Sequence, residues 1–214
     1  MSSGPTSDPG SNIRVDLLLI ADMIDTGSRV LDVGCGDGAL LHHLARTKNV
    51  DGRGIELSQA GVNACVAQGL SVVQGDADTD LVNYPTASFD YAVLSQTLQQ
   101  VRRPGDVLAE LLRIGRRAVI SIPNFGHWSV RWQLAVTGRM PVTKALTQQW
   151  HDTPNSHFCT IKDFIELCAA LSIRIERHIS ADRLGNRMNF VGDGPFANLL
   201  SEQGVFLLSR PGTG

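Results

Sequence analysis

The sequence lacks the features that mark secreted scaffolds and nucleic-acid-binding chains. Its four cysteines show no CxxC spacing, which favours reduced thiols in a cytoplasmic protein over a disulfide framework. Positive charge is not in excess, because 19 Lys and Arg stand against 21 Asp and Glu for a formal net charge of −2. A basic excess is the usual footprint of a nucleic-acid binder, so we expect no nucleic-acid partner.

The sequence also lacks an apolar run long enough to span a bilayer. The most apolar early stretch, residues 15–24, is too short and contains Asp16 and Asp22. The opening letters MSSGPTSDPG lack the basic and apolar segments of a signal peptide and predict a disordered tail over residues 1–12. We therefore expect a cytoplasmic protein that does not associate with a membrane.

Length and composition are those of an ordinary globular chain. The 214 residues are 43% hydrophobic and 19% charged, and a soft prior of roughly one domain per 150 residues favours one domain. We predict a single domain over residues 13–209, with residues 124–160 as a lid or a partner-facing insertion. Residues 210–214 are expected to fray.

Short apolar strands alternate with helical segments along most of the chain. The predicted strands cover residues 28–33, 52–55, 71–74, 89–94, 117–122, 172–179 and 204–208. The predicted helices cover residues 13–24, 39–46, 58–68, 104–112, 128–136, 160–171 and 196–200. This alternation is typical of parallel βαβ crossovers, so we expect a doubly wound, seven-stranded, mostly parallel α/β sheet with helices on both faces.

A glycine-rich turn follows the first predicted strand, in the segment VLDVGCGDG over residues 30–38. Gly34, Gly36 and Gly38 allow a tight turn and a close approach of the backbone to a ligand. The turn leads into a helix N-terminus, which favours a carboxylate or a phosphate. In an open parallel sheet, ligands bind at the carboxyl ends of the strands. We therefore expect a ligand-binding site at this turn.

The glycine spacing alone leaves two ligand classes open. A dinucleotide fingerprint would need glycine at Ala39, where alanine is sometimes tolerated, so an NAD-dependent oxidoreductase stays an alternative. Asp32 could hydrogen-bond a ligand ammonium group but would repel a pyrophosphate. Glu56, at the end of the second strand, could accept both hydroxyls of a ribose, and Asp76 could accept from an adenine amino group. Ammonium, ribose and adenine together describe S-adenosylmethionine.

The segment DVGCGDG at 32–38, followed by Glu56 and by GDA at 75–77, resembles the nucleoside-binding set of class I S-adenosylmethionine-dependent methyltransferases. That family has a seven-stranded sheet with the last strand inserted antiparallel, which the seven predicted strands fit. The resemblance implies S-adenosylmethionine or S-adenosylhomocysteine as the cofactor. The cofactor-binding residues that follow are Asp32, Gly34, Cys35, Gly36, Gly38, Glu56, Leu57, Asp76, Ala77 and Ser95.

Some members of this set have simpler interpretations that the sequence leaves open. Asp32 could cap its own loop, and Glu56 could be a solvated strand end. Asp76 could form an Asx-turn, and Cys35 could be a small residue that fills space.

Three further segments resemble the methionine biosynthesis protein MetW family more closely. They are VLSQTLQQV at 93–101, SIPNFGHW at 121–128 and WHDTPNSHFCT at 150–160. They extend the similarity from about Ile13 to Ser209. This resemblance implies a role in methionine biosynthesis beside homoserine O-acyltransferase, the enzyme that activates homoserine, which is therefore the expected partner.

The sequence marks no general base and no nucleophile, so catalytic residues are not assigned. Four residues that follow predicted strands could face a substrate, with packing or simple exposure as the alternatives: Gln96, Gln99, His127 and Trp128. His151, His157 and Cys159 match no zinc pattern, so no metal is expected.

Two functional hypotheses follow from these patterns. The first is a protein that binds S-adenosylmethionine and acts with, or regulates, homoserine O-acyltransferase. The alternative is an active class I methyltransferase acting on an unknown small molecule. Methyl transfer needs chiefly in-line positioning, so the absence of an evident base leaves the alternative open.

Overall fold

Eight strands form one sheet in the computed structural model, which describes residues 13–142, 157–182, 186–188 and 195–211. The strands are β1 (Arg29–Val33), β2 (Asp51–Glu56), β3 (Ser71–Gln74), β4 (Phe89–Ser95), β5 (Gly115–Pro123), β6 (Arg174–Ala181), β7 (Arg187–Met188) and β8 (Gln203–Ser209). Their spatial order is β3-β2-β1-β4-β5-β8-β6-β7. Strands β1 to β5 pair in parallel, and β8 pairs antiparallel with β5 and β6.

The mostly parallel α/β sheet is confirmed, but the strand count of seven was wrong by one. The additional strand is β7, which pairs antiparallel with the end of β6 through Met188 and Arg187. A two-residue strand carries no periodicity that a sequence pattern could register. The predicted strand 204–208 corresponds to β8.

Seven α-helices connect or flank these strands in the described residues. They are α1 (Val15–Asp22), α2 (Ala39–Lys48), α3 (Gln59–Ala67), α4 (Pro104–Ile114), α5 (Trp128–Thr137), α6 (Ile161–Ala170) and α7 (Pro195–Leu200). Ser58 caps α3 by accepting from the Gly61 N–H at 3.1 Å, and Thr160 forms a capping box with Asp163. None of the helices in the described residues has the length and the apolar character that crossing a bilayer requires.

The core consists of two apolar layers, one on each face of the sheet. Alternate residues of a strand enter opposite layers, as Ile120 and Val119 of β5 do. The layer of Ile120 includes side chains from α4 and α6, such as Leu108 and Phe164. The layer of Val119 includes side chains from α1 and α2. Because both faces are covered, the central strands are apolar along nearly their whole length.

Strand β1 is the point at which the order of the sheet reverses. It pairs in parallel with β2 on one side and with β4 on the other. The backbone N–H groups of Gly34 and Cys35 donate to the Ile55 carbonyl at 2.8 and 3.1 Å, which fixes the turn after β1 against β2. A crevice therefore opens at the carboxyl ends of these strands, where ligands of such sheets bind.

Several predicted features fall outside the described residues. They are the tail at 1–12, the 143–156 part of the predicted insertion, and residues 212–214. The single domain over 13–209 and its boundaries therefore remain predictions.

Two glycines test how tightly α4 and β5 are packed. A Cβ at Gly115 would lie 2.7 Å from the Ala92 backbone N, whereas a Cβ at Gly105 in α4 would meet only Leu171, at 3.7 Å. We expect Gly115→Ala to lower the free energy of unfolding by about 1–3 kcal/mol, because backbone atoms cannot move aside. Gly105→Ala is expected to raise it by about 0.5 kcal/mol through helix propensity. Urea denaturation of both variants measures these changes, and equal effects would contradict the packing described.

Candidate functional site

A cavity of about 480 Å³ lies at the carboxyl ends of β1, β2, β3 and β4. This size is within the range of small-molecule sites. Six of the ten predicted cofactor-binding residues line it: Gly34, Glu56, Leu57, Asp76, Ala77 and Ser95. The other four are Asp32, Cys35, Gly36 and Gly38, which belong to β1 and the turn after it. The structure thus brings residues from four separate loops to one cavity.

The turn after β1 needs its glycines for conformation and for space. Gly34, Gly36 and Gly38 all have positive φ, at 71°, 59° and 81°. A Cβ at Gly34 would lie 2.8 Å from the Thr97 Oγ1, so a side chain there would collide with the loop after β4. A Cβ at Gly36 would have no neighbour within 4 Å. The turn is therefore open on the side of Gly36.

Glu56 is held by the backbone rather than left as a free strand end. Its Oε2 accepts from the Gly36 N–H and its Oε1 from the Ser58 N–H, both at 2.9 Å. These bonds fix the carboxylate at the rim of the cavity. A carboxylate offers about four acceptor positions, so two remain for a ligand diol.

Asp32 is a buried carboxylate, and one of its oxygens accepts no hydrogen bond from the described residues. Its side chain is 2% exposed, and its Oδ1 has no hydrogen-bond partner among the described residues. The pKa of Asp32 is raised to about 7, chiefly by burial, while the charge of Arg14 acts to lower it and the charges of Glu56 and Asp16 act to raise it. An unpaired buried oxygen is costly. A cationic donor in the cavity would fit this carboxylate.

A buried polar network at the edge of the cavity includes a residue that the sequence analysis missed. Arg14 donates to both carboxylate oxygens of Asp16, from Nε at 3.1 Å and from Nη2 at 3.0 Å. Asp16 also accepts from the hydroxyls of Ser95 and Ser121, at 3.1 and 3.2 Å, and Arg14 donates to Ser95. The residue missed is Arg14. Its signal in the sequence was Asp16, a carboxylate within an apolar helix, because a buried carboxylate requires donors.

Asp76 is engaged by its own loop. Its Oδ1 accepts from the Asp78 N–H at 2.9 Å, which is an Asx-turn, and its Oδ2 lies 3.8 Å from the Arg102 Nη2. Arg102 also lies 3.9 Å from Asp78, and both residues line the cavity. The sequence analysis did not name either of them. Contact between Asp76 and an adenine amino group remains a prediction.

The Cys35 side chain takes part in packing. Its Sγ lies 4.0 Å from the Cys65 Sγ, in a small apolar cluster with Leu41. Burial is the main cause that raises the pKa of both thiols. Only the backbone of Cys35 is therefore available to a ligand in the cavity.

Of the four candidate substrate-facing residues, Trp128 does not line the cavity, and the other three have different positions. Gln96 lines the cavity, with φ +48° and its N–H donating to the carbonyl and the hydroxyl of Ser121. Gln99 is buried, and neither polar atom of its side chain has a partner in the described structure. His127 does not line the cavity. Its Nδ1 lies 2.7 Å from the Ser129 Oγ, and burial lowers its pKa.

The titratable side chains in the described lining of the cavity are carboxylates and arginines. Its described lining contains no His, Lys or Cys side chain. His151 lies outside the described residues. The residues that the structure describes also contain no cluster of three or more His, Cys, Asp or Glu arranged to hold a metal ion.

The buried Asp32 carboxyl predicts a pH dependence of stability. Its pKa rises from 3.8 to about 7 on folding, so between these values the folded chain retains a proton that the unfolded chain has lost. The Asp32 contribution to the free energy of unfolding should therefore fall by about 1.4 kcal/mol per pH unit as pH rises through this interval. Asp32→Asn removes this contribution. We expect the free energy of unfolding of Asp32→Asn, minus that of the wild type, to increase from pH 4.5 to pH 7 and then level off. Urea denaturation measures both values. A constant difference across this range would contradict it.

A family model and one curated relative point to the same family. A family model described as methionine biosynthesis protein MetW matches residues 14–208. The bifunctional methionine biosynthesis protein MetXA/MetW of Rhodopirellula baltica is 34% identical over 179 residues, which cover 79% of this chain and 29% of that protein. The chain spans between 29% and 63% of the length of the first curated relatives it matches.

Solved structures share the fold at low sequence identity. Phosphoethanolamine N-methyltransferase 2 of Haemonchus contortus, in complex with S-adenosyl-L-methionine, superposes with a TM-score of 0.67 and 14% identity over 92% of this chain and 52% of that one. The cyclase SpnF superposes with a TM-score of 0.61 and 19% identity over 92% of this chain and 80% of that one. These likenesses establish the fold alone, and one fold can carry different reactions. The family match over residues 14–208 is more specific: the chain belongs to the methionine biosynthesis protein MetW family.

Proposed function

We propose that this chain binds S-adenosylmethionine and acts with, or regulates, a homoserine O-acyltransferase in methionine biosynthesis. The observation that carries the proposal is the acid-lined cavity at the switch point, with a buried and unpartnered Asp32 oxygen beside it. S-adenosylmethionine is the downstream product of this pathway. Occupancy of the cavity would therefore report methionine status to the partner.

The residues around the cavity fit the parts of this cofactor. Glu56 would accept from the ribose hydroxyls, since its carboxylate is already fixed by backbone donors. Asp32 would accept from the ammonium group, which would give its Oδ1 the partner it lacks. Arg14 carries the complementary charge for a ligand carboxylate and lines the same cavity. Asp76 and Ala77 would lie on the adenine side.

The acyltransferase partner is supported by a gene fusion. In Rhodopirellula baltica the related MetW sequence is part of a bifunctional MetXA/MetW protein. A covalent link holds two modules at a high effective concentration, which favours their association. We extend this pairing with a homoserine O-acyltransferase to the present chain.

An active methyltransferase is the second candidate. Bound S-adenosylmethionine would supply an electrophilic methyl group, and transfer needs chiefly an aligned acceptor. Gln96, Thr97 and Gln100 line the cavity after β4 and would position a polar acceptor.

A cytoplasmic location is part of the proposal. All four cysteines are free thiols in the structure, and none of their side chains is more than partly exposed. Free thiols fit a reducing compartment.

The cofactor assignment is tested by calorimetric titration of S-adenosylmethionine and S-adenosylhomocysteine into the purified chain. We expect micromolar binding. Glu56→Ala should weaken it by about 1–3 kcal/mol, the loss of charge-assisted hydrogen bonds. Gly36→Asp should abolish it, because the new carboxylate adds bulk and charge on the open side of the turn. Glu166→Ala is the matched control, since this exposed carboxylate belongs to α6.

Three results would reject the cofactor assignment. They are no heat at millimolar ligand, displacement of the ligand by NADH, and equal affinities for the wild type and Gly36→Asp.

Regulation and catalysis are separated by two assays of the wild-type chain. The first measures acyltransferase activity with and without this chain and S-adenosylmethionine. The second measures formation of S-adenosylhomocysteine, which only a methyltransferase would produce.

A further inference from the structure

Helix α5 presents an apolar face that no described residue covers. Of its ten residues, only Val130 is buried. Trp128, Trp132 and Val136 are 52%, 66% and 62% exposed. At about 100° per residue these three lie within about 80° of one another, and Val130 lies on the opposite side of the helix. We call Trp128, Trp132 and Val136 the α5 face.

Both ends of α5 are capped, although its outer face is exposed to solvent. The His127 ring accepts from the Ser129 N–H at 3.3 Å, and Gly138 ends the helix with φ +62°. A helix of ten residues is marginal in water without packing of its apolar side. Exposed tryptophans are also the residues most enriched at the centres of protein interfaces. The α5 face therefore has the composition of an interface.

Further exposed apolar side chains flank the helix along the chain. Met140 and Val142, after its C-terminus, are 41% and 47% exposed. Before its N-terminus, the Phe125 ring lies 4.3 Å from the ring of Phe158, which is 45% exposed. Clusters of exposed apolar side chains mark interaction sites on folded chains.

The charged residues of the chain segment that contains α5 have one sign. Residues 125–142 contain Arg131 and Arg139 and no acidic residue, and both arginines are exposed. A two-fold contact between two copies through this face would bring arginines against arginines, which is unfavourable. A partner with an apolar groove and an acidic rim has the complementary charge.

We propose that the α5 face docks into an apolar, acid-rimmed groove on the homoserine O-acyltransferase. This inference rests on the proposed function, because the acyltransferase is the partner named there. The fused relative, in which both modules belong to one protein, selects this occupant. None of the three α5 side chains lines the cavity, so docking and cofactor binding use different surfaces of the chain.

The test measures binding of the full chain to the purified homoserine O-acyltransferase of the same organism by biolayer interferometry. We expect the wild type to bind and Trp128→Ala and Trp132→Ala each to raise the Kd by about tenfold or more. Arg139→Glu should raise the Kd most at low salt, because its contribution is electrostatic. The controls are Val66→Ala and Val82→Ala, which truncate side chains 58% and 69% exposed on other surfaces. They should leave the Kd unchanged.

The outcomes separate this inference from the proposed function. Titration of S-adenosylmethionine and circular dichroism show whether each variant is folded. If the wild type and the folded tryptophan variants bind the acyltransferase equally, the α5 face is not the docking site and the proposed partnership stands. If the wild type binds S-adenosylmethionine but not the acyltransferase, the partnership and the docking site are both wrong. Self-association that Trp132→Ala abolishes, seen by light scattering, would replace the acyltransferase with a second copy.

Discussion

The parallel pairing of β1 with both β2 and β4 is the constraint on which the rest of the structure depends. It places the turn after β1 at the point where the strand order reverses, so the carboxyl ends of four strands open into one crevice. The bonds from Gly34 and Cys35 to Ile55 fix this turn. The position of the cavity, the backbone contacts of Glu56 and the burial of Asp32 all follow from that arrangement.

Two buried carboxylates near the cavity have opposite surroundings. Asp16 is fully supplied with donors by Arg14, Ser95 and Ser121, so its burial ties α1 to the ends of β4 and β5. Asp32 is equally buried but has an oxygen without a donor. An uncompensated buried carboxylate lowers stability. Its place beside a ligand-sized cavity makes binding the natural reason for retaining it.

The segments that distinguish this family meet between the cavity and α5. Residues of the 96–101 segment line the cavity. Within it, the Gln99 carbonyl accepts from the His157 N–H at 3.0 Å, and the neighbouring Phe158 packs on Phe125 just before α5. One packed junction therefore touches both the proposed cofactor site and the proposed docking helix.

The sequence by itself determined the local features of this protein. The glycine turn with its positive φ angles, the Ser58 and Thr160 caps, and the alternation of strands and helices each depend on a few adjacent residues. Only the tertiary structure decided that Arg14 and Asp16 meet Ser95, that the Cys35 thiol faces Cys65, and that Glu56 accepts from the Gly36 N–H. The physical reason is distance along the chain. Side-chain direction and pairing across many residues are set by packing, which leaves no periodic signal in the sequence.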